Sequence, residues 1–546
     1  MQTEEIAHAL KLTAQLMELH NENPFKVKSL ANAAFRLDKT DISLEGKSVA
    51  ELEGIEGIGK SIANKIMELQ LTGTLAELNQ LKEQTPSGVI EMLAIKGIGP
   101  KKVAQLWKEL GTESPGELLY ACKENRLVEL KGFGAKTQES VKKAIEFNMA
   151  NKGLFHYATL ESFALNLVAA VKAHLKTDLV SLTGDIRRKA IILEKVEVLV
   201  AEGMSFDPQF FEVPAGVRVE WILCPAESFA ERLFETTASA AHLADLGDWK
   251  LKLRQSAADL SSEEKIYAAL GMQYIEPELR EGRGEVAMAL AGTLPELIVL
   301  EDLKGILHNH SNWSDGMHTL KEMAEYCKEL GYQYLGMCDH SQSAFYANGL
   351  KPDRVLAQQK EVDELNLLLA PFKIFKGIES DILYDGSLDY PEEILQSFDF
   401  VVASVHSVLK MDEEKATSRL IRAIENPYTT ILGHPTGRLL LSREGYPLNH
   451  RKIIDACAAN KVVIELNAHP YRLDIDWTWI SYCLERGVLI SVNPDAHEKQ
   501  GYHDMHFGIC AARKGMLTRA MCFNALSREE LATYFSARKP LPGSLR

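Results

Sequence analysis

The sequence has no long apolar run: no stretch approaches the ~18 uninterrupted apolar residues that a membrane-spanning helix needs. No charged segment followed by an apolar run opens it either, so a cytoplasmic protein without a membrane partner is expected. Paired thiols are missing as well. The eight cysteines, at 122, 224, 327, 338, 457, 483, 510 and 522, are scattered through apolar contexts without a Cys-x-x-Cys pair. That pattern argues against disulfides and thiolate zinc, and predicts buried, reduced thiols and no disulfide-linked partner. A monomer is expected. Net positive charge is also absent, with 61 Lys and Arg against 76 Asp and Glu. A protein that coats nucleic acid indiscriminately needs clustered cations, and a net charge of −15 counts against that class. The deficit is uneven. Residues 1 to 150 carry 19 basic and 21 acidic residues, which leaves this part able to grip a phosphate backbone locally. With 546 residues, 46% of them apolar, the chain has material for several domains with their own cores.

What is present is organised around Gly305-Ile306-Leu307-His308-Asn309-His310-Ser311-Asn312-Trp313-Ser314-Asp315-Gly316. On an extended backbone alternate side chains share a face, so His308 and His310 can point at one spot, with Asp315 close behind. A single His-x-His is weak evidence for a metal. The pattern recurs, however, at the ends of apolar runs that finish at His340, Glu379, His406, His434 and Asp495-Ala496-His497. Buried β runs that end in His, Glu or Asp, with helical segments between them, predict a β/α barrel that collects a site at the C-terminal ends of its strands.

Residues 1 to about 150 show apolar residues at helical spacing, beginning Ile6, Leu10, Met17. Three Gly-apolar-Gly elements interrupt them: Gly57-Ile58-Gly59-Lys60, Gly97-Ile98-Gly99-Pro100-Lys101 and Gly132-Phe133-Gly134-Ala135-Lys136. Glycine lets the backbone come close and take positive φ, and the free N–H groups of the following helix attract an anion. With Lys60, Lys101 and Lys136 beside them, these repeats predict binding to a DNA backbone. They resemble helix-hairpin-helix motifs, the first in an N-terminal helical domain over 1–80 and the others in a fingers-like domain over 81–150.

Residues 151–225 turn to β-type runs, Leu179 to Gly184, Val196 to Val200 and Val217 to Leu223. Their order resembles the palm of family X DNA polymerases, in which a Gly-Ser turn with two arginines precedes an Asp-x-Asp pair and a third Asp. Here the turn reads Gly184-Asp185-Ile186-Arg187-Arg188, the pair falls on Lys195 and Glu197, and the third position on Glu220. Two-metal nucleotidyl transfer needs carboxylates that bridge both ions. Lys195 puts a cation where a ligand belongs, and glutamates displace the oxygens by a methylene. The expectation is a degenerate palm without polymerase activity. Residues 226–295 are predicted helical, as a thumb and connector. Glu263 to Gly271 and Pro277 to Glu285 resemble the connector of bacterial family X enzymes, with charges expected to hold the halves together.

Residues 296–546 resemble the PHP (polymerase and histidinol phosphatase) domain, a distorted (β/α) barrel for which seven strands are expected. The resemblance implies a nine-ligand set: His308, His310, Asp315, His340, Glu379, His406, His434, Asp495 and His497. In the family, Glu379 would bridge two ions, with His308, His310 and Asp495 at one, Asp315, His340 and His497 at the second, and His406 with His434 at a third. Imidazoles and carboxylates suit Mn²⁺, Zn²⁺ or Fe²⁺, and nine exceed what one ion needs, so two or three divalent ions are expected. Catalysis is expected from His308, His310, Glu379, Asp495 and His497, and substrate phosphate contact from Arg438 and Arg472. Ile306 stands where the family commonly has Asp, which implies tuned metal affinity. The whole chain resembles bacterial family X DNA polymerases with a C-terminal PHP domain. This implies a metal-dependent 3′→5′ exonuclease acting on gapped, damaged or 3′-ended DNA in base excision repair. Three other readings stay open: a histidinol-phosphate-type small-molecule phosphatase, an active DNA-directed DNA polymerase, and a DNA-binding platform with structural metals.

Overall fold

Apolar residues spaced by three and four close one face of the first helix, Thr3–Leu19, where Ile6, Leu10, Thr13, Leu16 and Met17 are buried. This helix packs on Pro24–Lys39, and Leu30, Ala33, Leu37, Ile62, Ile66 and Leu69 complete a shared core. The structure is a computed structural model and describes residues 3–39, 44, 46–95, 97–150, 153–202, 211–214, 216–256 and 258–538. The chain forms two compact units, Met1–Glu146 and Phe147–Arg546. The expected 1–80 segment and residues 81–146 of the next lie in the first, and the last four residues of the expected 81–150 segment lie in the second with the palm, thumb and barrel segments. The described residues of the first unit are helical and contain no strand.

The second unit begins with the two-residue strand β1 (Phe155–His156), the helix Tyr157–Leu175, β2 (Val180–Thr183), β3 (Ile192–Leu193), β4 (Val196–Glu202) and β5 (Val219–Pro225). Strand β4 pairs antiparallel with β2 and parallel with β5. The helix covers this sheet, and Leu160, Ala164, Leu167 and Val171 pack with Val196, Val198 and Val200. Short helices from Phe229 to Ala291 follow and bury Phe234, Trp249, Ile266 and Tyr267 together.

Charged residues of the connector tie these parts together. Glu263 receives Arg187 (Nη1, 3.0 Å) and the fully buried Arg280. The ammonium of Lys514, from the barrel, donates to Glu281 (2.6 Å) and to the Arg188 carbonyl (2.9 Å). Buried charges persist only when paired in this way. The connector therefore links palm, thumb and barrel, as its sequence suggests.

The barrel strands are β6 (Gly305–Ile306), β7 (Tyr334–Met337), β8 (Lys373–Lys376), β9 (Glu379–Asp381), β10 (Val402–Ser404), β11 (Ile431–Leu432), β12 (Val463–Asn467) and β13 (Ile490–Asn493). All adjacent pairs are parallel, in the orders β6-β7-β8 and β9-β10-β11-β12-β13. Bridges His340↔Glu379 and Asn309↔Ala496 join the two sheets into a closed ring. Gly377, between β8 and β9, has no room for a side chain: a Cβ would lie 2.5 Å from Phe400 and 2.6 Å from the Met337 carbonyl oxygen. Period-two burial is clear in β7, where Leu335 and Met337 join the core between strands and helices while Tyr334 and Cys338 join Phe400, Val402 and Phe523 in the separate inner core. All eight cysteines are buried.

Candidate metal centre

The two ends of the barrel sequence meet at the site. The His310 N–H donates to the Ala496 carbonyl (2.8 Å) and the Asp495 N–H to that of His308 (3.1 Å). This places the first and last motifs side by side on extended backbone. Asp495 itself has φ +52, a turn that brings its carboxylate back over the strand end. Asp315 comes from a tight turn in which the Ser311 carbonyl accepts from Ser314 (3.1 Å) and Gly316 (2.9 Å). His340, Glu379, His406 and His434 follow or begin β7, β9, β10 and β11, so the strand ends deliver one ligand after another.

Glu379 lies at the centre. Its Oε1 is 3.1 Å from both His406 Nε2 and His434 Nε2, and 3.4 Å from His308 Nε2. Its Oε2 is 2.8 Å from His340 Nδ1 and 3.7 Å from His310 Nε2. On one side, Asp495 Oδ1 lies 2.9 Å from His310 Nε2 and 3.4 Å from His308 Nε2. On the other, Asp315 lies 3.4 Å from His497 Nε2 and 3.6 Å from His340 Nε2.

All nine expected side chains thus converge, and every one is buried except the half-buried His406. Their grouping overlaps the expected partition and adds shared residues to it. Three clusters have ligand atoms within 4.8 Å of one another: His308, His310 and Asp495; His310, Asp315, His340 and His497; and His340, Glu379 and His406. His310 and His340 are each shared by two clusters, since a ring carries two nitrogens and both rings lie between neighbouring carboxylates.

The donor set suits divalent ions. His308 Nε2, His310 Nδ1, His340 Nε2 and His434 Nδ1 are buried without a hydrogen bond. Each such atom costs about 1–3 kcal/mol if left unsatisfied, so this concentration marks a ligand site rather than core packing. Burial, reinforced by His497 and His340, pushes the His310 imidazole down to about 3, which keeps it neutral as a ligand must be. Burial alone would raise the Glu379 carboxyl, but His406, His308 and His340 hold it well below the ordinary range.

Sequence reasoning missed two carboxylates behind the ligands. Glu465, in β12, lies 2.7 Å from His308 Nδ1 and accepts from the His434 N–H (2.8 Å) and Asn493 Nδ2 (3.1 Å). Asp381 lies 2.5 Å from His406 Nδ1. A Glu inside the apolar run Val463-Ile464-Glu465-Leu466 was the available signal. Asp339 accepts from the Ser311 N–H (2.8 Å), the Ser311 hydroxyl (2.7 Å) and Gln358 (2.5 Å), so it braces the loop that carries Asp315.

Arg472 is buried, with Nε 4.0 Å from Asp495 Oδ2. Arg438 pairs with Asp476 and donates to the carbonyls of Leu473 and, at 3.0 Å, Arg472.

In the palm, β4 and β5 bring Glu197 opposite Glu220. Lys195 places its ammonium between them, 2.9 Å from Glu197 and 2.7 Å from Glu220. Asp185 pairs with Arg188, and Arg187 is engaged by Glu263 and by the Thr237 hydroxyl at 2.6 Å. Gly184, at φ +62, lies against Glu197, whose Oε2 would sit 1.8 Å from an added Cβ.

The three hairpins of the first unit share one geometry. Gly57, Gly97 and Gly132 have φ of +88, +99 and +90, and Ile58, Ile98 and Phe133 between the glycines are buried. Gly59 and Gly99 cap the helices Lys60–Thr72 and Pro100–Leu110 with no side-chain hydrogen bond, and the Gly134 carbonyl accepts from Thr137 at 2.8 Å in the same position. Lys60, Lys101 and Lys136 are exposed beside these helix starts.

Comparison with known proteins follows this division. A helix-hairpin-helix domain model matches residues 1–75, a SAM-like helix-hairpin-helix tandem residues 89–146, the DNA polymerase beta thumb residues 236–281, and the PHP domain residues 307–469. Proteins called probable phosphatases resemble part of the chain. One from Acetivibrio thermocellus is 28% identical over 36% of this chain and 80% of its own length, and one from a Thermoanaerobacter species is 30% identical over the same shares, 36% and 80%. The DNA polymerase/3′-5′ exonuclease PolX of Bacillus subtilis is 33% identical over 98% of this chain and 99% of its own length. At that identity over essentially both full lengths, the chain belongs to the PolX family.

Proposed function

We propose that the protein is a metal-dependent phosphoesterase that removes nucleotides from DNA 3′ ends during repair of gaps and damage, and that its palm no longer performs nucleotidyl transfer. The observation that carries the first part is Glu379 ringed by imidazoles, with its Oε1 3.1 Å from both His406 and His434. A carboxylate shared by so many imidazoles suits two or three divalent ions, Mn²⁺, Zn²⁺ or Fe²⁺. When bound, such ions supply Lewis-acid activation of water and neutralise phosphate charge. In this reading His308, His310, Glu379, Asp495 and His497 form the working part of the ligand set. Arg472 steadies the substrate phosphate, and Arg438, committed to Asp476, holds the loop that carries it.

Two features favour DNA over a small phosphate ester. Three hairpins with bare helix N-termini and exposed lysines suit a phosphate backbone. Exposed apolar side chains also lie within five residues of ligands on four barrel loops: Met317, Phe345, Tyr384 and Val408. Such surfaces suit unstacked nucleobases. The small-molecule phosphatase reading rests on the probable phosphatases, whose likeness is confined to about a third of this chain.

For the palm, the supporting observation is Lys195. Its ammonium, bridging Glu197 and Glu220, occupies the place where carboxylates would otherwise gather two cations. Release of mononucleotides from a 3′-labelled strand in Mn²⁺, with no primer extension when deoxynucleotides are supplied, supports both parts. Turnover of free phosphate monoesters with DNA left intact refutes the first, and efficient primer extension refutes the second.

A further inference from the structure

A second group of ligand-type side chains lies at the junction of palm and barrel. Glu161 is on the palm helix Tyr157–Leu175, and His506 and Cys510 are on the barrel helix Met505–Lys514. Four residues apart, the His and Cys share one helix face. His506 Nε2 is 2.8 Å from Glu161 Oε1 and 3.9 Å from Cys510 Sγ, and one ligand atom from each residue lies within 4.8 Å of the others. Tyr157 OH also donates to Glu161 Oε1 (2.8 Å).

We propose that Glu161, His506 and Cys510 form a divalent-metal site of the zinc class, separate from the nine-ligand centre, that fastens the palm helix to the barrel. A tetrahedral zinc ion with ligands at about 2.0–2.3 Å holds its donor atoms roughly 3.3–3.8 Å apart. The His506–Cys510 spacing of 3.9 Å lies just beyond that range and closes with a small turn of the His506 side chain. The Glu161–His506 spacing must open by several tenths of an ångström, which the 45% exposed His506 side chain allows. On binding, the Cys510 thiol loses its proton and His506 Nε2 exchanges its contact with Glu161 for the ion.

A thiolate and a carboxylate neutralise a divalent cation, so the centre tolerates Lys189 in the adjoining cleft, where it lies 3.8 Å from Glu278. That cleft, of about 260 Å³ including open solvent, is lined by Tyr157, Lys189, Ile191, Phe507 and Cys510 among others. The fourth position is left to a solvent ligand. The surroundings are well packed: Cys510 and Phe507 join the palm core, so the ion would fasten an existing contact.

The test uses the full-length protein titrated with Co²⁺, whose bond to a thiolate gives a charge-transfer absorption that imidazole and carboxylate ligands do not. The proposal expects this band in the native protein and in Cys338→Ser, and its loss in Cys510→Ser. It also expects about one fewer zinc per chain in both Cys510→Ser and Glu161→Gln, measured by elemental analysis, with the other ions retained. The two substitutions lie on different helices, so if one fails to fold the other still decides. Absence of the thiolate band in the native protein, or an unchanged zinc content in either folded variant, overturns the proposal and leaves Glu161 and His506 as an ion pair.

Discussion

His308 Nδ1 lies 2.7 Å from Glu465 Oε1, deep beneath the strand ends. That contact fixes the tautomer with Nε2 free to face Glu379 and Asp495. Glu465→Gln keeps the size of the side chain and removes its charge. It is expected to weaken divalent-ion binding roughly 10–100-fold without unfolding the barrel. Isothermal titration with Mn²⁺, alongside circular dichroism, measures both effects.

His340, Glu379, His406 and His434 stand out in the sequence because they close short apolar runs, as at Val405-His406, and a strand end leaves its last side chain at the barrel mouth. The full set of nine, Asp315 included, is what the resemblance to the PHP domain implies. Glu465 was not singled out, since a carboxylate in mid-strand reads as an ordinary polar position until its partner His308 arrives from a strand far away in sequence. The sharing of His310 and His340 between clusters is equally a matter of three-dimensional angles that spacing does not encode. Glu161 and Cys510 escaped for the same reason. Their union depends on the palm packing against the barrel, and no local motif announces it. The palm positions were legible in register, for Lys195, Glu197 and Glu220 do meet.

The Lys195 ammonium makes the palm testable by addition as well as removal. Replacing Lys195, Glu197 and Glu220 together by Asp restores the carboxylates at the expected positions. Asp185 stays beside the turn, paired with Arg188, and would still repel a triphosphate. Little primer extension is therefore expected from the triple variant, and more once Asp185→Ser is added. Gel-resolved primer extension in Mg²⁺ checks this. Equal extension by native protein and variants contradicts the account.

Salt dependence tests the hairpins. If Lys60, Lys101 and Lys136 each meet a phosphate, replacing all three by Ala lowers the slope of log binding constant against log salt by about 2.7 on duplex DNA. Fluorescence anisotropy at several salt concentrations gives the slope. Separately, Gly97→Ala forces an L residue to φ +99. It is expected to cost roughly 1–2 kcal/mol, read from chemical denaturation.

Glu263 predicts a pH dependence of stability. Burial works to raise its carboxyl, but Arg187 and Arg280 hold it below the ordinary value of 4.5. Its contribution is thus present in full above pH 4.5 and is lost as pH falls through the lowered folded value. Glu263→Gln leaves the buried Arg280 and the half-buried Arg187 short of a partner, at a cost of about 3–5 kcal/mol near neutrality. Thermal unfolding at neutral and acidic pH should show the gap between native and variant proteins narrowing as the pH drops.

The central claim is that the carboxylate of Glu379 organises a phosphoesterase site for DNA ends. Its most direct test is the rate of mononucleotide release from a 3′-labelled single strand in Mn²⁺ by native protein and by Glu379→Gln. The account predicts processive shortening by the native protein and a loss of at least about 1000-fold in the variant, with DNA binding retained. Undiminished shortening by Glu379→Gln, or an intact 3′ end with the native protein, would contradict it.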